Sequence, residues 1–158
     1  MVQTDEYYMQ RALTLAAAAE SDNEVPVGAL VVSGDGVVIG EGWNCPITSS
    51  DPTAHAEVVA LRQAARAINN YRLVDCTLYV TLEPCTMCCG ALIHSRIKRV
   101  VYGAKEPKAG AVHSHLQLLD LSHTNHKVDV VSGVCEEQCA YLLSAFFKRR
   151  REEKRVQK

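Results

Sequence analysis

The 158 residues carry 47% hydrophobic and 22% charged side chains, the composition of one soluble globular domain spanning residues 1–158 rather than of a disordered or fibrous chain. Residues 1–6 place acid where a secretory signal would place base, and the longest nearly apolar stretch, residues 12–19, is interrupted by Thr14 and too short to span a bilayer, so a cytoplasmic location is expected. The formal net charge of −1 hides an asymmetry: residues 148–158 hold seven basic and two acidic residues, +5, against −6 for the remainder, which fits either a solvated helix end or a polyanionic partner.

Met9, Ala12, Leu13, Ala16 and Ala17 recur at amphipathic spacing and predict a helix over about residues 5–20. Two Val-rich stretches, 27–33 and 37–43, flank Gly34-Asp35-Gly36 and read as an antiparallel hairpin. After a loop with Pro46 and Pro52, Thr53 is placed to cap a helix whose apolar stripe is Val58, Leu61, Ala65 and Ile68, which puts His55 in the first turn. A strand over 77–82, a helix continuing through 87–94 and a strand over 99–102 form a parallel crossover unit. A loop with a short helix then leads to a strand at 128–131 and a last helix with Cys139, Leu142, Leu143 and Phe146 on one stripe. The fold class is therefore α/β: a three-layer α/β/α arrangement around a mixed five-stranded sheet. Ligands of such sheets gather at the carboxyl ends of parallel strands, where Glu83-Pro84-Cys85 lies.

Seven cysteines in a chain of this kind point to metal or chemistry before disulfides. Cys85 and Cys88 stand three residues apart at a predicted helix start, where the macrodipole favours thiolate. Alone, this C-x-x-C fits a redox pair, half of a structural zinc knot or a catalytic site. His55-Ala56-Glu57 decides, because H-x-E followed by P-C-x-x-C is the pattern in which zinc takes one His and two Cys and the Glu stays outside. Three protein ligands leave the fourth tetrahedral position to water, the mark of a catalytic zinc. Cys89, about 100° round the helix from Cys88, is turned away and reads as a packed thiol. Cys45, Cys76, Cys135 and Cys139 read as small buried side chains, and His94, His113, His115, His123 and His126 as helix or loop residues. On this basis water attacks with its pKa lowered from about 15.7 to about 7 by zinc, and Glu57 carries protons to and from the target base.

The stretches EVPVGALVV (24–32), GEGWN (40–44), DPTAHAEVVALRQA (51–64), NYRL (70–73), TLYVTLEPCTMCCGALIHSRI (77–97) and FFKRRR (146–151) resemble the cytidine deaminase superfamily, most closely the bacterial tRNA-specific adenosine deaminases. The resemblance implies a cytidine deaminase-like fold, hydrolytic deamination of the wobble adenosine, position 34, of an arginine tRNA anticodon, and a homodimer with one Zn2+ per subunit. It implies that the target base is flipped out and that Asn44 contacts it, although an Asn before Pro46 also suits a turn. Glu106 stands where several members carry an aspartate that contacts the neighbouring ribose, with Lys105 and Lys108 suited to a phosphate path. Phe146 and Phe147 beside the basic run 148–151, Arg150 included, offer stacking next to charge, as single-stranded anticodon loops require. Two other readings compete. A deaminase of free bases would share the zinc core but not the basic tail, and a structural or RNA-binding zinc module would need neither Glu57 nor an open coordination position.

Overall fold

The computed structural model describes residues 2–121 and 126–157, so His123 lies outside the described residues. The elements are α1 (Asp5–Ser21), β1 (Gly28–Val32), β2 (Val38–Trp43), α2 (Ala56–Ile68), β3 (Thr77–Leu82), α3 (Thr86–His94), β4 (Arg99–Ala104), β5 (Asp129–Ser132) and α4 (Glu136–Val156). The strands form one mixed sheet in the order β2-β1-β3-β4-β5. β1 runs antiparallel to β2 and β3, whereas β3, β4 and β5 are parallel, the β3–β4 pair as the crossover spacing predicts. Alternation along each strand sends Leu78, Val80, Val100 and Tyr102 into a core under α2 and α3, and Tyr79 and Val101 into a second core with Tyr8, Met9 and Ala12 of α1 and Cys139 of α4. Helices thus cover both faces.

Local chemistry explains the element ends. The Thr4 hydroxyl accepts the Tyr7 amide and caps α1, whose first turn holds Asp5 and Glu6 against the positive end of the helix dipole. Gly36 turns the hairpin with a φ of 87°. Asn69, left-handed at φ 54°, ends α2.

Four expectations need correction. In α1 the buried face is Tyr8, Met9, Ala12, Ala16 and Ala19, while Ala17 is exposed. In α2 the face toward the sheet is built from Ala56, Ala60, Ala64 and Leu61, and Ile68 is 42% exposed. The cause is proximity: a Cβ on Gly40 would lie 2.4 Å from the Ala60 carbonyl oxygen and one on Gly42 2.6 Å from that of Ala56, so glycine meets alanine and larger apolar residues are displaced sideways. Thr53 does not cap α2; its amide and hydroxyl both donate to Asp51, at 2.8 and 2.7 Å, and the N-cap is His55 in extended conformation. Between β4 and β5 the described residues form turns and no helix.

Candidate metal centre

Two helix starts converge at the carboxyl end of β3. His55 is the N-cap of α2, and Cys85 is the N-cap of α3, with Cys88 one turn in. Neither side chain makes a capping hydrogen bond, and the two face each other. His55 Nδ1 lies 3.5 Å from Cys85 Sγ and 3.6 Å from Cys88 Sγ, and all three donor atoms fall within 4.8 Å of one another. A tetrahedral zinc at about 2.3 Å from sulfur and 2.0–2.1 Å from nitrogen separates N from S by about 3.6 Å. The donor set therefore fits zinc in both chemistry and spacing.

The three groups shift one another's proton affinities. The Cys85 thiol is pulled down to about 4, mainly by its hydrogen bond with Cys88, with burial opposing and His55 assisting. The Cys88 thiol is driven well above its usual range by the bond to Cys85 and by burial. His55 is raised by its bond to Cys85 against the effect of burial. A bound cation would take these groups as thiolates and a neutral imidazole, so its binding would release their protons. Cys89 Sγ points to the Pro84 carbonyl oxygen at 3.9 Å, and burial pushes its thiol up to about 12. His113 bonds Tyr102 and His126 bonds the Ile97 carbonyl. Among the described residues only His55, Cys85 and Cys88 form a metal-ligating group. Cys45 and Cys135, expected to be buried, are half-buried.

Glu57, in the first turn of α2, is 4% exposed and outside that group. Burial, the dominant influence, raises its carboxyl above the usual carboxylate range. A cavity of about 230 Å3 opens in front of it, with Asn44, His55, Glu83, Cys85 and Glu106 on its walls and Val25, Val27, Leu82 and Ala109 as apolar lining. Sites for drug-sized ligands run from roughly 300 Å3 upward, so this one suits a single heterocyclic base.

A second cavity, about 520 Å3, is walled by Glu106, Lys108, Phe147, Arg150, Arg151 and Lys154. Glu106 lines both spaces. Asn44 and Glu106 thus line the first cavity and Glu106, Lys108, Phe147 and Arg150 the second, while Lys105 lines neither. Two tail residues depart from expectation. Phe146 is 3% exposed and packs under the guanidinium groups of Arg149 and Arg150, leaving Phe147 as the accessible ring. Arg149 donates to Glu153 at 2.8 Å and to Asn23 at 3.4 Å, away from the basic cavity.

Two buried acids escaped the sequence. Glu24, 1% exposed, accepts from the Thr48 amide at 2.7 Å and its hydroxyl at 2.8 Å, fixing the loop that follows Asn44. Glu83 fixes the opposite loop. The one available signal was an acid directly after an apolar strand and before proline.

A three-ligand zinc centre with a buried acid beside a base-sized cavity, carried on an α/β/α sheet, defines a hydrolytic deaminase class. The chain belongs to the family described as cytidine and deoxycytidylate deaminase zinc-binding region, whose model matches residues 2–104. It is 55% identical over 154 residues to the tRNA-specific adenosine deaminase of Haemophilus influenzae, covering 98% of this chain and 89% of that one. A solved structure from work on A-to-I editing by tRNA:A34 deaminases superposes with a TM-score of 0.83 at 43% identity, over 87% of this chain and 99% of that chain. A guanine deaminase from Bacillus subtilis matches at 45% identity and a TM-score of 0.62, over 65% of this chain and 66% of that chain.

Proposed function

We propose that this chain, as a single deaminase domain with a basic C-terminal helix, is a zinc-dependent aminohydrolase that converts adenosine to inosine at the wobble position of a tRNA anticodon. An arginine tRNA, a homodimer with one zinc per subunit and a cytoplasmic setting are part of this proposal. The observation that carries it is that Glu106 lines both the base-sized cavity at the metal centre and the neighbouring basic groove. A base flipped into the first leaves its flanking nucleotides beside the second.

His55, Cys85 and Cys88 would hold the zinc. Zinc supplies Lewis acidity that brings water within reach of deprotonation at neutral pH. Glu57 takes the proton of the attacking water as its oxygen bonds to the amine-bearing carbon, and passes that proton to a ring nitrogen. Glu57 then delivers the remaining hydroxyl proton to the amine, the C–N bond breaks, ammonia leaves and the oxo group of inosine remains. Asn44 orients the base, Glu106 faces the adjoining ribose, and Lys108, Phe147 and Arg150 hold the flanking strand by charge and stacking. No helix among the described residues is long and apolar enough to cross a membrane.

The decisive experiment incubates purified protein with total tRNA and reads inosine at position 34, with free adenosine, cytidine and guanine as controls. The likeness to a guanine deaminase favours a second reading, deamination of free bases. Ammonia release from free guanine that outpaces release from an anticodon stem-loop would establish that alternative in place of the tRNA activity.

A further inference from the structure

Glu83 follows β3 and stands two residues before Cys85, yet the proton chemistry above does not use it. Its side chain is 2% exposed and makes no ion pair among the described residues. A carboxylate is rarely buried without a cation. Here the loop after β4 supplies the compensation. Oε1 accepts the Glu106 amide at 3.1 Å and the Ser114 hydroxyl, while Oε2 accepts the amides of Val112, His113 and Ser114 at 3.2, 2.8 and 2.9 Å. Converging backbone amides are the means by which proteins bind external anions; in this chain the anion is a side chain of the protein itself. The wrap is close, since a Cβ on Gly110 would lie 2.5 Å from Glu83 Cδ. Both ends of the 106–114 loop are therefore tied to a side chain whose own backbone is held between a strand and the metal-binding helix.

We propose that Glu83 is a positioning residue that holds this loop in the shape that places Glu106 between the two cavities and Lys108 in the basic groove, so that residues 83–85 set the metal centre and the substrate-contacting loop together. What the loop touches rests on the RNA reading above; the clamp does not. Glu83→Gln keeps the size of the side chain but turns an NH2 group toward amides that need an acceptor. Ser114→Ala removes a single donor at an exposed position and is the milder variant.

The test uses the zinc-loaded enzyme and measures hydrogen exchange, zinc per chain, and kcat and KM on an anticodon stem-loop. For Glu83→Gln, the amides of Glu106 and of Val112 to Ser114 should exchange at least about tenfold faster while β3 is unchanged, with zinc retained. KM should rise about tenfold with kcat within about threefold, and Ser114→Ala should move both in the same direction by less. Unchanged exchange in the loop overturns the proposal. So does a fall in kcat with zinc loss at constant KM, which would make Glu83 a support for Cys85 alone. Should the wild type form no inosine while loop exchange still responds, the RNA reading fails and the clamp stands.

Discussion

Glu57 combines near-complete burial with a position two residues beyond the His55 N-cap, and these two facts support the role proposed for it. A carboxylate beside the attacking water can take a proton as base and return one as acid within a single turnover. Glu57→Gln should retain zinc and lose about 10²- to 10⁴-fold in turnover, checked by metal analysis beside single-turnover inosine formation. Equal turnover at full zinc would remove Glu57 from the reaction. The tail residues divide by direction rather than by charge. Because Arg150 and Lys154 face the basic cavity and Arg149 is engaged by Glu153 and Asn23, Arg150→Ala with Lys154→Ala should flatten the log-log salt dependence of tRNA binding by about 1.5 to 2 units, and Arg149→Ala by less than about 0.5. Titrations of binding against salt would separate the two. The grouping of His55, Cys85 and Cys88 was legible in the sequence because H-x-E and P-C-x-x-C together specify it. Glu83 and Glu24 were not, since each acts on amides brought to it by the fold, and nothing in their flanking residues encodes those partners.

Packing of α2 on β2 shows how an alanine face can be functional. The close approach at Gly40 and Gly42 sets the height of α2 above the sheet, and with it the position of His55 at its start. Gly42→Ala forces a Cβ to within 2.6 Å of the Ala56 carbonyl oxygen. We expect a loss of about 1–3 kcal/mol in stability and weaker zinc retention, read from thermal melts and from the rate of metal loss to a chelator. Unaltered melting with unaltered zinc retention would show that the helix yields freely. The same feature explains where pattern reading failed. Hydrophobic periodicity weighs Ile68 above Ala60 and Ala64, whereas contact with a glycine-bearing strand selects the small residues. The strands and the parallel crossover were legible because their Val-rich runs match buried strands, and the cap of α2 was misplaced because Asp51 captures the Thr53 hydroxyl.

Stability against acid depends on how the α1 side of the sheet is joined. Asp5 accepts from Arg99 and from the Tyr79 hydroxyl, tying the first helix to β4 and β3. Burial alone would raise the Asp5 carboxyl, yet the bonds from Arg99 and Tyr79 outweigh it and leave it below the ordinary 3.8. A depressed carboxyl contributes stability above its unfolded value and loses it as pH falls through the folded one. About 1 kcal/mol should therefore disappear below about pH 4 in the wild type and be missing at every pH in Asp5→Asn, so their stabilities converge on acidification. Urea titrations at pH 7 and pH 3 would reveal a constant difference if the pair is inert. The position of Glu106 has a different consequence. As the partition common to the inner chamber and the outer trough, it is felt by an occupant of either. A short substrate reaching only the chamber and a long one filling both would thus respond together to a change at this residue, whereas changes at Arg150 or Phe147 would be visible to the long substrate alone.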